Sequence, residues 1–200
     1  MSPGGPVILD SGGANISSLR FALGRLGCAA PLTADPGVIR NASHVFLPGV
    51  GAADQAMAGL EQSGLADLVR RLTQPVLGIC LGMQLLFERS AEDGGRSCLG
   101  VIPGQVQRIE GGPDRPVPHM GWNLTSLAPD CPLFAGLSAA EHFYYVHSYA
   151  APTGPDTVAV ADYGGEFTAV VARGNFHGAQ FHPERSGPAG ARVLANFLAL

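Results

Sequence analysis

Cys80 stands in the sequence context in which enzymes present a nucleophile. It closes an apolar run at residues 75–79, and helix-forming residues follow from Leu81 onward. A nucleophile on a sharp turn between a strand and a helix needs small neighbours, and Gly78 and Gly82 flank Cys80 on either side. The N–H groups that begin a helix also favour the thiolate form of a cysteine. The pattern predicts a nucleophilic thiol, and the competing interpretation is a buried core cysteine.

A base and an orienting acid for this thiol lie near the end of a later predicted strand. His182 and Glu184 are two residues apart, and side chains two apart in an extended chain face the same way. Glu184 can therefore hold the imidazole while His182 takes the thiol proton. Taken alone, His-Pro-Glu also fits a strand end with a solvated acid. Together with Cys80, it predicts a Cys–His–Glu triad.

A glycine-flanked turn follows the predicted strand at 44–47. Its sequence is Leu-Pro-Gly-Val-Gly-Ala at 47–52, and it places peptide N–H groups at the carboxyl end of a parallel strand. As an oxyanion hole, these groups would act together with the N–H of Leu81, the residue after the nucleophile. The alternatives are a phosphate loop or a plain turn, although the glycines match neither a P-loop nor a dinucleotide fingerprint.

Composition excludes several classes of function. The 200 residues suffice for one domain with its own core, so we expect a single domain over 1–200. The 12 basic residues are all Arg against 16 acidic residues, which predicts no nucleic-acid partner. The longest apolar segment, 75–87, is too short to span a membrane, and the N-terminus carries no signal-peptide pattern. The four cysteines are widely spaced in a chain large enough to fold without disulfides, so we expect reduced thiols in a cytoplasmic protein. The six histidines show no metal-ligand spacing with these thiols, and we expect neither a metal nor a cofactor.

The elements that must position these residues alternate between strand and helix in the first half. Strands are predicted there at 7–9, 44–47 and 75–79, and helices at 16–26, at 52–71 with a break near Ser63-Gly64, and at 81–87. In the second half, strands are predicted at 105–109, 143–149, 157–161, 168–172 and 175–181, before a final helix that starts near Pro188. Continuous apolar strands between helices are typical of a parallel sheet covered on both faces. The predicted fold class is therefore α/β and doubly wound, with a mostly parallel central sheet, flanking helices and an additional antiparallel β-rich portion.

The chain resembles the class I (triad) glutamine amidotransferases, which implies a flavodoxin-like fold. Two stretches carry this resemblance: Leu-Gly-Ile-Cys-Leu-Gly-Met-Gln at 77–84 and Phe-His-Pro-Glu at 181–184. Three more are similar to one branch of that family, the glutaminase subunit of imidazole glycerol phosphate synthase in histidine biosynthesis. They are the 47–52 stretch, Pro-His-Met-Gly-Trp-Asn at 118–123 and Tyr-Tyr-Val-His-Ser-Tyr at 144–149. The resemblance runs from Val7 to the final helix.

The resemblance implies a role for each site residue. Cys80 would attack the carboxamide of glutamine as a thiolate, while His182 would protonate the departing ammonia and later activate water. The oxyanion would be held by the backbone N–H of Val50 or Gly51 together with that of Leu81. The glutamine pocket would be lined by Gln84, Glu92, Ser148 and Tyr149. Glu92 suits the ammonium group of the substrate, and its alternative interpretation is a solvated loop acid.

A partner is also implied, because free ammonia is easily protonated and lost in water. In this family the partner is a (β/α)₈-barrel cyclase that forms a heterodimer with the glutaminase and receives ammonia through its interior. The residues implied to face it are Asn15, Pro118, His119, Met120, Trp122 and Arg185. A lone Trp in a stretch rich in Gly and Pro is typical of an interface anchor. The alternative for Trp122 is a core residue.

Two departures from the family pattern stand out. Asp10-Ser11-Gly12-Gly13-Ala14-Asn15 occupies the turn where the family commonly has Asp-Tyr-Gly-Met-Gly-Asn, and Arg185 replaces the usual Lys. Three other functions remain open on the sequence. They are the glutaminase of another amidotransferase, a stand-alone cysteine peptidase or γ-glutamyl hydrolase, and a non-catalytic regulatory subunit. The intact triad disfavours the last.

Overall fold

The computed structural model describes residues 4–10 and 16–200. The divergent turn at 11–14 and the predicted interface residue Asn15 lie outside the described residues. The strands are β1 (Val7–Leu9), β2 (Leu32–Thr33), β3 (Val45–Gly49), β4 (Val76–Cys80), β5 (Phe87–Ser90), β6 (Arg96–Ser97), β7 (Ile102–Arg108), β8 (His119–Leu127), β9 (Ala140–His147), β10 (Tyr149–Ala150), β11 (Thr157–Asp162), β12 (Glu166–Arg173) and β13 (Phe176–Ala179).

The α-helices are α1 (Ile16–Arg25), α2 (Pro36–Asn41), α3 (Ala53–Gln62), α4 (Leu65–Arg70), α5 (Leu81–Gln84) and α6 (Gly187–Phe197). Short 3₁₀ turns lie at Glu92–Gly94, Pro132–Phe134 and Pro183–Arg185. Across residues 4–10 and 16–200, no helix combines the length and the apolar character needed to cross a membrane.

A nine-stranded mixed sheet forms the centre of the molecule, in the order β2-β1-β3-β4-β13-β12-β11-β8-β9. The first five strands of that order are parallel to one another, and the remaining pairings are antiparallel. A second sheet, β10-β7-β5-β6, is smaller. This arrangement confirms the predicted α/β class with flanking helices and an antiparallel portion, and the parallel order agrees with a flavodoxin-like fold.

Three neighbouring parallel strands carry the predicted site residues to one edge of the large sheet. In register, Gly49 of β3 lies opposite Cys80 of β4, and Ala179 of β13 lies opposite Ile79 of β4. Since the strands are parallel, their carboxyl ends lie side by side. The segments that follow β3, β4 and β13 are therefore brought together by the register of the sheet.

Apolar layers cover both faces of the sheet. Leu19 and Leu23 of α1 pack with Val193 and Phe197 of α6 in one layer. The other layer contains buried residues of α2, α3, α4 and α5, among them Met57 and Leu60. These apolar side chains repeat at helical spacing, which fits helices lying on a sheet. Two covered faces explain why β1, β3 and β4 read as continuous apolar runs.

The structure corrects two element predictions. The helix expected over 81–87 ends at Gln84, and Phe87 begins β5 because this segment pairs with β7 in the second sheet. The nine-residue strand β8 was not predicted at all. Its mixed polar and apolar composition hides the alternation, which becomes visible only once β8 pairs with β9 and β11. Tertiary pairing overrides local propensity in both segments.

Candidate active site

Cys80 occupies a strained turn between β4 and α5. Its φ of 52° and ψ of −112° lie outside the regions that a side-chain-bearing residue ordinarily adopts. Among residues 4–10 and 16–200, the other non-glycine residue with positive φ is Asp93, next to Glu92. Backbone strain of this kind persists only where the surrounding structure holds it, and it concentrates at functional sites.

Glycines hold this turn by direct backbone packing. A Cβ on Gly78 would lie 2.6 Å from the carbonyl oxygen of Gly82. A Cβ on Gly82 would collide with the carbonyl oxygen of Leu47, and one on Gly49 would lie 2.8 Å from the Gly82 nitrogen. The turn that carries Cys80 is therefore pressed against the end of β3. This packing explains why glycines flank the cysteine and places the 50–51 peptides beside it.

His182 and Glu184 form a buried pair with an Nδ1 to Oε1 distance of 2.9 Å. The side chains are 11% and 6% exposed. The spacing predicted that both side chains share one face of an extended strand. In the structure, β13 ends at Ala179, and the 3₁₀ turn Pro183–Arg185 brings Glu184 back to the ring of His182. The proximity is as expected, and its cause is a turn.

The electrostatics of His182 suit proton exchange with a thiol. Burial by itself lowers the pKa of His182, but interaction with Cys80 and with Glu184 raises it, and the net shift is upward. Its Nε2 is buried and makes no hydrogen bond of standard geometry to a described residue. That nitrogen is available to exchange a proton with the thiol or with a leaving group.

A cavity of about 380 Å³ opens beside Cys80, a size typical of small-molecule sites. Its walls include the predicted triad, oxyanion-hole and glutamine-binding residues, which are Cys80, His182, Glu184, Val50, Gly51, Leu81, Gln84, Glu92, Ser148 and Tyr149. Pro118 and Arg185, two of the predicted interface residues, also line it. The structure thus brings together residues that are widely separated in the chain.

Glu92 is anchored within the cavity wall. Its Oε2 accepts a hydrogen bond from the N–H of Ala53, at the first residue of α3, at 2.7 Å. The residue before α3, Ala52, offers no side-chain cap, so Glu92 satisfies an otherwise unpaired helix donor from a distant loop. It is therefore a fixed carboxylate and not a freely solvated loop acid.

Gln84 is almost fully buried, and both hydrogens of its amide are used inside the protein. Its Nε2 donates to the carbonyl oxygen of Tyr149 at 2.8 Å and to Oε1 of Gln180 at 3.0 Å. Its carboxamide oxygen remains as an acceptor, on a side chain that lines the cavity. That arrangement suits the ammonium group of an amino-acid substrate.

Two residues that sequence reasoning missed lie beside the site. Gln180 is fully buried, and its Nε2 lies 3.8 Å from Cys80 Sγ. His147 lines the cavity, and its Nδ1 donates to the carbonyl oxygen of Tyr149 at 2.9 Å. Gln180 stands two residues before His182, and this spacing was the only available signal in the sequence.

His119 corrects the predicted interface. Its side chain is 3% exposed, stacks against Tyr145 and Tyr163, and places Nδ1 3.0 Å from Nε2 of His147. A partner therefore cannot reach this ring. The reason is the alternation of β8, which turns His119 inward and its neighbours Met120 and Trp122 outward.

Met120 and Trp122 are 63% and 56% exposed, so the core interpretation of Trp122 is wrong. Leu124, two residues further along β8, is 50% exposed on the same side. Pro118 and Arg185 are also exposed, at the rim of the cavity. An exposed apolar row beside a cavity is typical of a surface that meets another protein.

Known proteins are similar to this chain over nearly its whole length. The profile of the family described as glutamine amidotransferase class-I matches residues 7–200. Imidazole glycerol phosphate synthase subunit HisH 1 of Vibrio vulnificus (strain YJ016) is 49% identical over 199 residues, with 97% of each chain covered. Subunit HisH of Xanthomonas axonopodis pv. citri (strain 306) is 52% identical over 191 residues, covering 96% of this chain and 95% of that one.

Solved structures share the fold at lower identity. A crystal structure of a glutamine amidotransferase superposes with a TM-score of 0.75 at 20% identity, with 97% of each chain covered. The structure of PurLQS from Thermotoga maritima gives 0.71 at 19% identity, with 98% of each chain covered. With the family profile spanning nearly the whole chain and curated relatives about half identical over almost their full lengths, the chain belongs to the class I glutamine amidotransferase family, alongside the HisH subunits.

Proposed function

We propose that this chain is the glutaminase subunit of an imidazole glycerol phosphate synthase. It hydrolyses glutamine to glutamate and ammonia and passes the ammonia to a cyclase subunit. The observation that carries the proposal is the arrangement of Cys80, His182 and Glu184 around one amino-acid-sized cavity. The curated relatives, which are named as subunits of that synthase, support the choice among amidotransferases.

The first half of the reaction forms a thioester. His182 takes the proton of the Cys80 thiol, and Sγ attacks the side-chain carboxamide carbon of glutamine. The negative charge that develops on the carboxamide oxygen is held by peptide N–H groups of Val50 or Gly51 and of Leu81. His182 then gives the proton to the nitrogen as the carbon–nitrogen bond breaks. Ammonia leaves, and a γ-glutamyl thioester remains on Cys80.

The second half releases glutamate. His182, now neutral, takes a proton from a water molecule, whose oxygen attacks the thioester carbon. The carbon–sulfur bond breaks, glutamate departs and the sulfur regains a proton through His182. Glu184 accepts the Nδ1–H of His182 throughout, which fixes the orientation of the ring.

The cavity walls hold the substrate at its amino-acid end. Glu92 and the carboxamide oxygen of Gln84 supply acceptors for the substrate ammonium group. Ser148 and Tyr149, where the chain passes from β9 into β10, complete the wall. The anchoring of Glu92 and Gln84 inside the protein keeps these acceptors in place before substrate arrives, which lowers the entropic cost of binding.

The partner is a (β/α)₈-barrel cyclase that forms a heterodimer with this chain, which acts as a single glutaminase domain. Pro118, Met120, Trp122 and Arg185 meet that partner around the cavity rim. The exposed apolar side chains of Met120 and Trp122 support this assignment. Asn15 is assigned to the same surface from the sequence resemblance alone.

The variant Cys80→Ala tests the proposal in the assembled complex with the cyclase. We expect glutamine-dependent product formation to be lost, while formation from added ammonium salt continues, because the variant removes only the source of ammonia. Cys28→Ala is the matched control, since Cys28 is a free thiol that does not line the cavity. Glutamine-dependent synthesis that survives in Cys80→Ala would show that another group is the nucleophile.

A further inference from the structure

A buried carboxamide lies against the reactive sulfur without a role in the steps described above. Gln180 is 0% exposed, and its side chain is wedged between Cys80 and Gln84. Its Nε2 lies 3.8 Å from Sγ, which is hydrogen-bond distance for sulfur, and its Oε1 accepts from Gln84 at 3.0 Å. A buried polar side chain of this kind is costly unless every polar atom is satisfied.

The neighbouring groups fix which end of the Gln180 carboxamide faces the sulfur. The carbonyl oxygen of Tyr149 is only an acceptor, so the Gln84 group that contacts it must be the NH₂. The same NH₂ contacts Gln180, which must therefore present its oxygen there. The NH₂ of Gln180 is left to point at Sγ. Rotating either carboxamide by 180° would set donor against donor or acceptor against acceptor.

Cys80 Sγ consequently lies between one group that favours its protonated form and one that favours its ionised form. The thiol donates to the carbonyl oxygen of Val146 at 3.8 Å, a contact available only to the protonated sulfur. The N–H of Gln180 approaches the same atom, and a donor strengthens its bond when the acceptor becomes an anion. Val146 favours the thiol, and Gln180 favours the thiolate.

We propose that Gln180 is a further catalytic residue, whose carboxamide N–H stabilises the Cys80 thiolate and directs it toward the cavity. The effect of Gln180 on turnover rests on the proposed glutaminase function. The contact itself belongs to the free chain and acts on Cys80 whatever the substrate. Gln84 and Tyr149 act through Gln180 as positioning groups, because they hold its carboxamide in the required orientation.

Two variants remove the donor in different ways. Gln180→Glu keeps the shape and an oxygen for Gln84 but places a carboxylate against the sulfur, whereas Gln180→Met removes the polar group at similar length. We measure the alkylation rate of Cys80 by iodoacetamide across pH in the full chain, with the background of Cys80→Ala subtracted. Burial raises the pKa of Cys98 to about 11 and also raises those of Cys28 and Cys131, so these thiols react little near neutrality.

We expect both variants to shift the alkylation profile toward higher pH, with a rate at neutral pH lower by about tenfold or more, and Gln180→Glu to show the larger shift. In the complex, kcat for glutamate release should fall by a similar factor in both variants, since Gln180 contacts the nucleophile. KM should change little in Gln180→Glu, which keeps an oxygen for Gln84 and alters no residue that lines the glutamine pocket.

Thr168→Val is the matched control. It removes hydrogen bonds of a buried side chain to Thr157 and to the carbonyl oxygen of Pro152, away from the cavity. It should lower stability without moving the alkylation profile. A wild-type alkylation profile in folded Gln180→Met would overturn the proposal and leave Gln180 a packing residue. Absence of glutaminase activity in the wild-type complex would refute the proposed function instead, while the alkylation result would still decide the role of Gln180.

Discussion

At the scale of single residues, the sulfur of Cys80 is surrounded by groups that each act on its charge. The interaction between Cys80 and His182 raises the pKa of His182, Gln180 offers a donor to the sulfur, and the carbonyl oxygen of Val146 accepts from the thiol. Glu184 acts one step further away, through the ring of His182. The reactivity of the thiol is therefore set by a few buried contacts, and those made by side chains can be removed separately.

Glu184→Gln should reduce kcat for glutamate release by about 10²-fold or more, with a smaller effect on KM. The carboxylate raises the pKa of His182 and selects the ring tautomer, and a neutral amide does both less well. The pKa of His182 should fall in the variant, and the pH profile of kcat should move with it. Asp67→Asn, which removes an exposed ion pair with Arg70, is the control and should be close to wild type. Unchanged turnover in Glu184→Gln would exclude Glu184 from the triad.

At the scale of elements, the turn between β4 and α5 depends on backbone contact with β3. Gly82→Ala would drive a methyl group into the Leu47 carbonyl, so we expect a loss of stability of several kcal/mol or failure to fold. Gly24→Ala is the matched control, because Gly24 lies exposed in α1 with open space around it. That change should stabilise the protein by about 0.5–1 kcal/mol. Urea denaturation of the two variants measures the expected loss and the expected gain in stability. A Gly82→Ala protein as stable as wild type would contradict the close packing of Gly82 against Leu47.

Strands β8 and β9 carry a buried histidine pair that makes the free energy of unfolding depend on pH. His147 donates its Nδ1–H to the carbonyl oxygen of Tyr149, so its Nε2 accepts from His119, and both rings are neutral. Burial lowers the pKa of His119 to about 4 and that of His147 to about 3. In the unfolded chain both rings titrate near pH 6.5.

The free energy of unfolding should therefore fall as the pH drops below 6.5, because the unfolded state then binds more protons than the folded state. Each ring contributes up to about 1.4 kcal/mol per pH unit. His182, whose pKa is raised, acts in the opposite direction near pH 6.5, because its ring is already protonated in the folded state while the unfolded ring still takes up a proton. It offsets part of the slope there, equally in wild type and in His119→Gln, and adds none once the unfolded ring is fully protonated. Urea denaturation from pH 7 to pH 5 measures the effect. His119→Gln should show a shallower slope, and equal slopes in the two proteins would refute the assignment.

The sequence was sufficient wherever local pattern and chemistry coincide. The strands before Cys80 and after His44 were predicted because buried parallel strands are continuously apolar, and the glycines around Cys80 pointed to a tight turn. Other features depend on the folded chain. Gln180 reads as an ordinary residue of a strand end, and its contact with Cys80 exists only because β13 and β4 are in register. The inward orientation of His119 likewise follows from the pairing of β8.

At the scale of the whole molecule, the exposed apolar row of β8 (Met120, Trp122 and Leu124) begins two residues after Pro118, which lines the cavity. Pro118 lines the cavity, and Met120 and Trp122 follow on the outer side of the same strand. Their inward neighbour His119 connects through His147 to Tyr149, in the wall of the cavity. A protein that docks on Met120 and Trp122 would thus contact the same strand whose preceding residue, Pro118, lines the substrate cavity.

Trp122→Ala should weaken binding of the cyclase by about tenfold or more, since a large exposed aromatic at an interface is a typical hot spot. Stability of the free chain should change little, because the side chain is 56% exposed. Val38→Ala is the control. Val38 is 46% exposed on α2, near the opposite end of the sheet, and its loss should leave binding intact. Calorimetric titration of the cyclase into each variant measures the difference, and equal affinities would remove Trp122 from the interface.

Glutamate release from glutamine, measured with and without the barrel subunit and its nucleotide substrate, decides whether this chain is a glutaminase coupled to a cyclase. We predict slow release by the chain alone and strong stimulation when both the cyclase and its substrate are present, with none in Cys80→Ala. Rapid hydrolysis that is indifferent to the cyclase would contradict the account. It would retain the triad and assign the chain to another amidotransferase or to a stand-alone hydrolase.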